Sequence, residues 1–213
     1  MKKLRTRAEF QESLDEEFAW RLKEIADIKY AIRSVDLTSR KSIIRAGVPI
    51  LYAHWEGFVK AGTEALLNFI NYQRLSYRSL KPCFIVFGAR KWVRELSGFG
   101  NPVQSIAAVE FFLNELDGRA EISFTGSINT EANLSSTVFE RIATSVGVNT
   151  GAYETKYMLI DSSLLNRRNN VAHGEFLDVD PEDFEKLSDE VIVLLRSYKN
   201  DFQNMVQAGD YLA

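Results

Sequence analysis

Three stretches of this chain place their apolar residues at steps of three and four, a spacing that suits long amphipathic helices and little else. Phe10, Leu14, Phe18, Leu22, Ile25, Ile28, Ile32 and Val35 form the first stripe. Asp15, Glu16, Glu17, Lys23, Glu24 and Asp27 fill the positions between them, as a solvated face requires. This predicts a helix from about residue 7 to about residue 35. The second stripe is Ile43, Ile44, Leu51, Trp55, Phe58, Leu66, Phe69 and Ile70. It predicts a helix from about Arg40 to about Tyr72. Pro49 lies inside it, lacks an amide donor and crowds the preceding turn, so a kink or a restart is expected near Val48. The third stripe follows Asp180-Pro181-Glu182-Asp183, a cap, a proline and two acids that suit the positive end of a helix dipole. Phe184, Leu187, Val191, Leu194, Leu195, Tyr198 and Phe202 continue it.

The segments between are shorter. Cys83-Phe84-Ile85-Val86-Phe87 fits either a buried strand or part of a helix, because short apolar runs do not separate the two. Asn101-Pro102 predicts a helix start, continued by Val103, Ile106, Ala107, Phe111 and Leu113 and stopping near Gly118. Residues 119–134 are polar apart from a brief Ile122-Ser123-Phe124 alternation, which predicts a loop or small hairpin. Thr137 and Glu140 have capping-box spacing for a helix ending near Gly147. Asp161 is placed to cap a helix through Leu164, Leu165 and Val171 that ends at Gly174. The expected fold is all-α: one antiparallel helical bundle over residues 1–213, with 75–134 as an inserted irregular or small-hairpin subregion.

Composition narrows the function classes. The 213 residues suffice for one well-buried core. A net charge of -3 means that any nucleic acid must be met by a local basic patch rather than by overall charge. The single cysteine, Cys83, excludes an internal disulfide and a cysteine-rich zinc site, and reads as a small buried hydrophobe. The N-terminal residues run from Met1-Lys2-Lys3 into charged sequence without the apolar stretch of a secretory signal, and no apolar run is long enough to span a bilayer. The expected location is the cytoplasm, away from membranes.

Only two histidines occur, His54 and His173, which concentrates any acid–base hypothesis on them. Two histidines without a carboxylate cluster make a poor metal site, so no metal and no cofactor are expected. His173 ends the segment Arg167-Arg168-Asn169-Asn170-Val171-Ala172-His173-Gly174. Asn169 and His173 are four apart and share a helix face, and Arg168 lies about 140° around from His173. Together they line one polar arc. Histidine can take a proton from a ribose 2′-hydroxyl or give one to a leaving 5′-oxygen. Arginine can hold the phosphate with two donors and stabilise the added charge of the transition state. The same arc is also what a polar helix end with a C-terminal cation looks like.

The segment Arg168 to His173 resembles the signature of the HEPN superfamily: an arginine, four to six residues often led by a polar one, then a histidine. The wider LLNRRNNVAHGEF, Leu164 to Phe176, and YAHWEGFVK, Tyr52 to Lys60, are similar to a bacterial HEPN subfamily associated with toxin–antitoxin and phage-defence loci. The resemblance covers roughly Ile43 to Phe202. It implies a dimerising helical bundle in which the arginine and histidine of both protomers meet in one cleft and cut RNA without a metal. Arg168 and His173 then take the catalytic roles and Asn169 a supporting one. A homodimer explains how one histidine per chain supplies both a base and an acid. A cognate antitoxin protein is implied as a partner. Some HEPN toxins carry a tyrosine shortly after the histidine that a partner nucleotidyltransferase modifies; here Gly174, Glu175 and Phe176 follow, so that route of inhibition is not implied.

His54 and Glu56 form a second candidate pair, expected to project into the same cleft with Glu56 orienting Arg168 or His173. Two further features favour RNA. No acidic residue occurs between Glu64 and Glu95, while Arg74, Arg78, Lys81, Arg90, Lys91 and Arg94 accumulate among Tyr72, Tyr77, Phe84, Phe87 and Trp92. A further acid-free stretch, from Leu37 to Trp55, holds Arg40, Lys41 and Arg45, and Arg167 adds a cation beside the motif. Basic groups interleaved with aromatics suit single-stranded RNA. The expected activity is therefore metal-independent endoribonuclease action. The alternatives are a non-catalytic HEPN module that binds RNA, a nucleotide or a partner protein, and a purely structural helical domain. A serine or cysteine hydrolase is disfavoured, because no nucleophile-elbow glycine pattern is present.

Overall fold

The computed structural model describes residues 2–97, 102–124, 126, 128–131 and 133–213. Among these the chain is all-α, with isolated bridge pairs in place of strands. Helix α1 spans Arg7–Ser34. It starts at Thr6, whose hydroxyl accepts from the Glu9 N–H while the Glu9 carboxylate accepts from the Thr6 N–H. Helix α2 spans Leu37–Tyr72 and runs through Pro49 without interruption, so the expected restart does not occur. Packing on both sides of the proline explains this, since Val48, Leu51 and Tyr52 are all buried. Gly47 contributes too: a Cβ there would lie 2.7 Å from the Phe184 ring, so only glycine admits that close helix crossing.

The Cys83–Phe87 run is helical, within α3 (Pro82–Gly88), and is followed by α4 (Arg90–Ser97) and α5 (Pro102–Asn114). Pro82 opens α3, where its missing donor costs nothing. Asn101, the expected cap of α5, lies outside the described residues. Helix α6 spans Ser136–Ser145 and is capped by Ser135, which accepts from the Val138 N–H, and not by Thr137. A 3-10 turn at Gly151–Lys156 leads to a π-helical stretch, Leu159–Asn166, which continues directly into α7 (Arg167–Ala172). Asp161 does not cap its own helix. It sits inside the π-helical stretch, and its carboxylate accepts from the Ser136 N–H and hydroxyl at 2.7 and 2.6 Å, tying down the start of α6. Helix α8 spans Pro181–Ala208, begins at Asp180 as expected, and buries its whole apolar stripe.

Two residues separate α1 from α2, which makes them an antiparallel hairpin. The Lys29–Asp189 and Lys199–Asp15 ion pairs set α8 antiparallel to α1. Arg167 and Lys156 lie beside Asp183 and Glu190, so α7 with its π-helical lead is antiparallel to α8. The four long elements thus alternate in direction around a core in which Trp55, Phe139, Tyr153, Tyr198 and Phe202 share ring contacts.

No hairpin forms over the described part of 119–134. The segment is a strap that returns along α2, and side chains of α2 hold its backbone. Asn71 accepts from the Ile122 N–H at 3.0 Å, Glu64 from the Gly126 N–H at 3.0 Å and the Tyr52 hydroxyl from the Leu134 N–H at 2.6 Å. Because the polar backbone is satisfied by side chains, no second strand is needed. The strap ends at Asn133, and that end positions the site.

Candidate functional site

Helix α7 offers Arg168 to α2 and to the strap. Its guanidinium carbon lies 4.8 Å from the centroid of the Tyr52 ring. Nη1 donates to Asn133 Oδ1 at 3.1 Å and to Asn169 Oδ1 at 2.8 Å. Three separate parts of the chain therefore fix one cation. The π-helical stretch immediately before α7 has wider turns than an α-helix, which sets the side on which residue 168 emerges.

Tyr52 is itself fixed. It is 2% exposed, and its hydroxyl receives the Leu134 N–H. Burial, with the Glu56 carboxylate adding to it, pushes the phenol up to about 12. Tyr52 therefore stays protonated and offers its proton towards Glu56, one turn along α2. Glu56 accordingly faces the Arg168 side of α2, through Tyr52.

His173 is the residue that ends α7. Its backbone N–H donates to the Asn169 carbonyl at 2.9 Å, so Asn169 holds Arg168 with its side chain and His173 with its backbone. Gly174 then takes φ +78°, a left-handed conformation that turns the chain away from the helix axis. The Glu175 N–H returns to the Asn170 carbonyl at 2.8 Å. Arg45 of α2 donates to the carbonyls of Glu175 and Val171, the second of which also accepts the Gly174 N–H. The imidazole is exposed, at the end of a turn tied to α2. Arginine, asparagine and histidine are thus carried on one short helix, able to hold an anion and to move a proton beside it.

His54 is not part of this arrangement. It is 3% exposed and packs against α1, with its ring 5.2 Å from that of Trp20 and Nε2 2.9 Å from Glu24 Oε2. Burial holds its pKa below the usual histidine range, against the pull of Glu24 and with help from Arg21. Below about pH 6.5 the unfolded chain takes up this proton more readily than the folded one. Stability is therefore expected to fall as pH drops from about 7.5 to about 5.5, and the drop should shrink in His54→Gln. Urea denaturation at the two pH values reads this; an equal drop in both proteins would show that other groups cause it.

The basic block divides. Arg74 follows the far end of α2, which at about 1.5 Å per residue puts it roughly 30 Å from Tyr52. Arg78 is paired with Asp117 at 2.7 Å, and the Lys81 N–H bonds to the Tyr211 carbonyl at that same end. Lys91 covers the Trp92 ring at 4.6 Å, and Arg94 is exposed on α4. Arg90 is nearer the strap: it lines a cavity of about 370 Å³ between α3 and α6 with Asn129, Glu131 and Arg141. Cys83 also lines that cavity, and burial pushes its thiol up, away from the reactive thiolate. Arg167 faces a groove against α8 beside Asp183 and Glu190. The block does not converge with Arg168 in one chain.

Sequence reasoning missed Tyr52, Asn133 and Arg45. Tyr52 had a usable signal, because it shares a helix face with Glu56 at spacing four. Asn133 had none, and Arg45 was legible only as one cation of the acid-free stretch from Leu37 to Trp55. Among the described residues no cluster of three or more histidine, cysteine, aspartate or glutamate side chains is arranged to hold a metal. No described helix is long and apolar enough to cross a membrane.

Comparison with curated proteins and with solved structures finds no match. A family model described as RiboL-PSP-HEPN matches residues 16–204, which takes in α2, the strap, α7 and nearly all of α8. With its all-α bundle and its Arg168-to-His173 segment, the chain belongs to the RiboL-PSP-HEPN family, within the HEPN superfamily, whose members point to RNA-related and nuclease functions.

Proposed function

We propose that this protein is a metal-independent endoribonuclease, acting as a toxin or phage-defence effector, whose site is completed by a second copy of the chain. The observation that carries this reading is the fixed Arg168. Asn133, Asn169 and the Tyr52 ring hold it five residues before His173, on a helix end that presents the imidazole to solvent.

The ribose 2′-oxygen attacks the adjacent phosphorus. The bond from O2′ to phosphorus forms and the bond from phosphorus to O5′ breaks. One imidazole accepts the 2′-hydroxyl proton and a second, neutralised by giving its proton to O5′, releases the 5′-hydroxyl strand. Two copies of His173 supply the two roles in an isologous dimer. Arg168 stabilises the charge that builds on the phosphorane. The products end in a 2′,3′-cyclic phosphate and a 5′-hydroxyl. Purified protein is expected to cut a labelled, partly single-stranded RNA in excess EDTA and to leave those ends. Ends carrying 5′-phosphate, or activity restored only by a divalent ion, would overturn the mechanism.

One observation favours a second reading. Arg168 already meets Asn133 and Asn169 within its own chain, as a structural arginine does. A non-catalytic module that binds RNA, a nucleotide or a partner protein fits that. It predicts RNA binding that survives loss of His173, without turnover.

A further inference from the structure

Phe176 is 83% exposed, the most exposed of the large apolar side chains among the described residues. It stands three residues past His173, and the turn that carries it is held rigidly. The N–H of the preceding residue, Glu175, returns to Asn170, and its carbonyl receives Arg45. With the Asn170 amide oriented to satisfy both of its ends, that amide donates to the Glu175 carboxylate at 3.2 Å. The N–H and carbonyl of residue 175 are thus both bonded, which sets where the chain delivers the neighbouring aromatic. Single exposed apolar side chains are ordinary on protein surfaces, and this one is set apart by its place beside the proposed site.

We propose that Phe176 is a stacking platform for an unpaired nucleobase of single-stranded RNA, next to the phosphate held by Arg168 and His173. The inference rests on the nuclease site proposed above. Arg45 reaches the backbone of the turn and His173 stands three residues before the ring, so cations are at hand for a phosphate backbone; of the neighbouring acids, Glu175 is drawn to Asn170 and Asp178 follows two residues after Phe176. Bases splayed from a single strand meet proteins by stacking on exposed aromatics while cations follow the backbone. A base fixed on Phe176 holds the strand in place as the adjoining 2′-oxygen lines up with phosphorus.

The test uses the full chain and a short, fluorescent, fully 2′-O-methylated single-stranded oligonucleotide, which carries bases but has no free nucleophile. Phe176→Ala is expected to weaken binding roughly 5- to 100-fold, the range for losing one stacked base. Phe176→Trp is expected to retain it. An oligonucleotide of abasic sugar–phosphate units should bind wild type and Phe176→Ala alike. Equal binding of the base-bearing strand by both proteins overturns the proposal. So does an equal loss on the abasic strand, and so does a change from dimer to monomer in sedimentation of Phe176→Ala, which would assign the ring to contact with a second copy. The outcome is separable from the nuclease reading. Cleavage by wild type with no dependence on Phe176 removes only the stacking role, and base-dependent binding without cleavage removes only the catalysis.

Discussion

Replacing His173 with alanine is expected to lower RNA cleavage roughly 10²- to 10⁴-fold, the contribution of a positioned general acid or base. The melting temperature should not change, because the side chain is exposed and the hydrogen bond at this position is made by the backbone. Arg168→Ala is expected to lower the turnover number by about 10²- to 10³-fold, as for the loss of one donor aimed at developing charge. Arg168→Lys should recover little. A lysine keeps the charge but not the flat guanidinium, which lies over the Tyr52 ring while one of its nitrogens donates to both Asn133 and Asn169. Initial rates on one labelled RNA, measured beside thermal melts, decide the matter. Cleavage by His173→Ala at the wild-type rate would remove the histidine from the mechanism. Loss of cleavage that tracks loss of folding in Arg168→Ala would make that arginine a structural group.

The parts of this molecule that the sequence made legible are those whose causes are local. Helices α1 and α8 declare themselves because most of their apolar steps of three and four meet the core. The cap at Asp180 is readable for the same reason, since its acceptor and donor are three residues apart. The start of α6 was misplaced because two hydroxyls compete there. Ser135 wins over Thr137 where Asp161, 25 residues away, already occupies the Ser136 N–H. The strap over 119–134 had no period to read. Its backbone is held by Asn71, Glu64 and Tyr52, partners that only the folded chain brings near.

The candidate site divides along the same line. Arg168, Asn169 and His173 lie on one short helix, so their spacing announces them. Asn133 reaches Arg168 from 35 residues away and Arg45 ties down the turn after His173 from 130 residues away, pairings with no local trace, whereas Tyr52 leaves only its helical spacing from Glu56. His54 and Glu56 show how adjacency misleads. Two steps on a helix turn the chain through about 200°, so neighbours in the sequence face opposite ways. Glu56 meets Tyr52 and the Arg168 side, while His54 is buried against Trp20 of α1.

The largest expected loss of stability follows truncation of Phe139, which is fully buried where α6 meets α2, α8 and the 3-10 turn. Its ring lies 5.0 Å from Trp55, 5.0 Å from Tyr153 and 5.4 Å from Tyr198. Phe139→Ala is expected to cost about 3–5 kcal/mol, from lost burial and from a cavity that three ring neighbours cannot all collapse into. For a chain of this length that lowers the melting temperature by roughly 6–20 °C. Phe139→Leu should cost much less, because it keeps most of the volume. The consequence reaches the site, since α6 begins immediately after the end of the strap that carries Asn133 to Arg168. Urea denaturation gives the free energy directly. A loss below about 1 kcal/mol would mean that the four rings do not share one core, and that Asn133 is held by the strap's bonds to α2 alone.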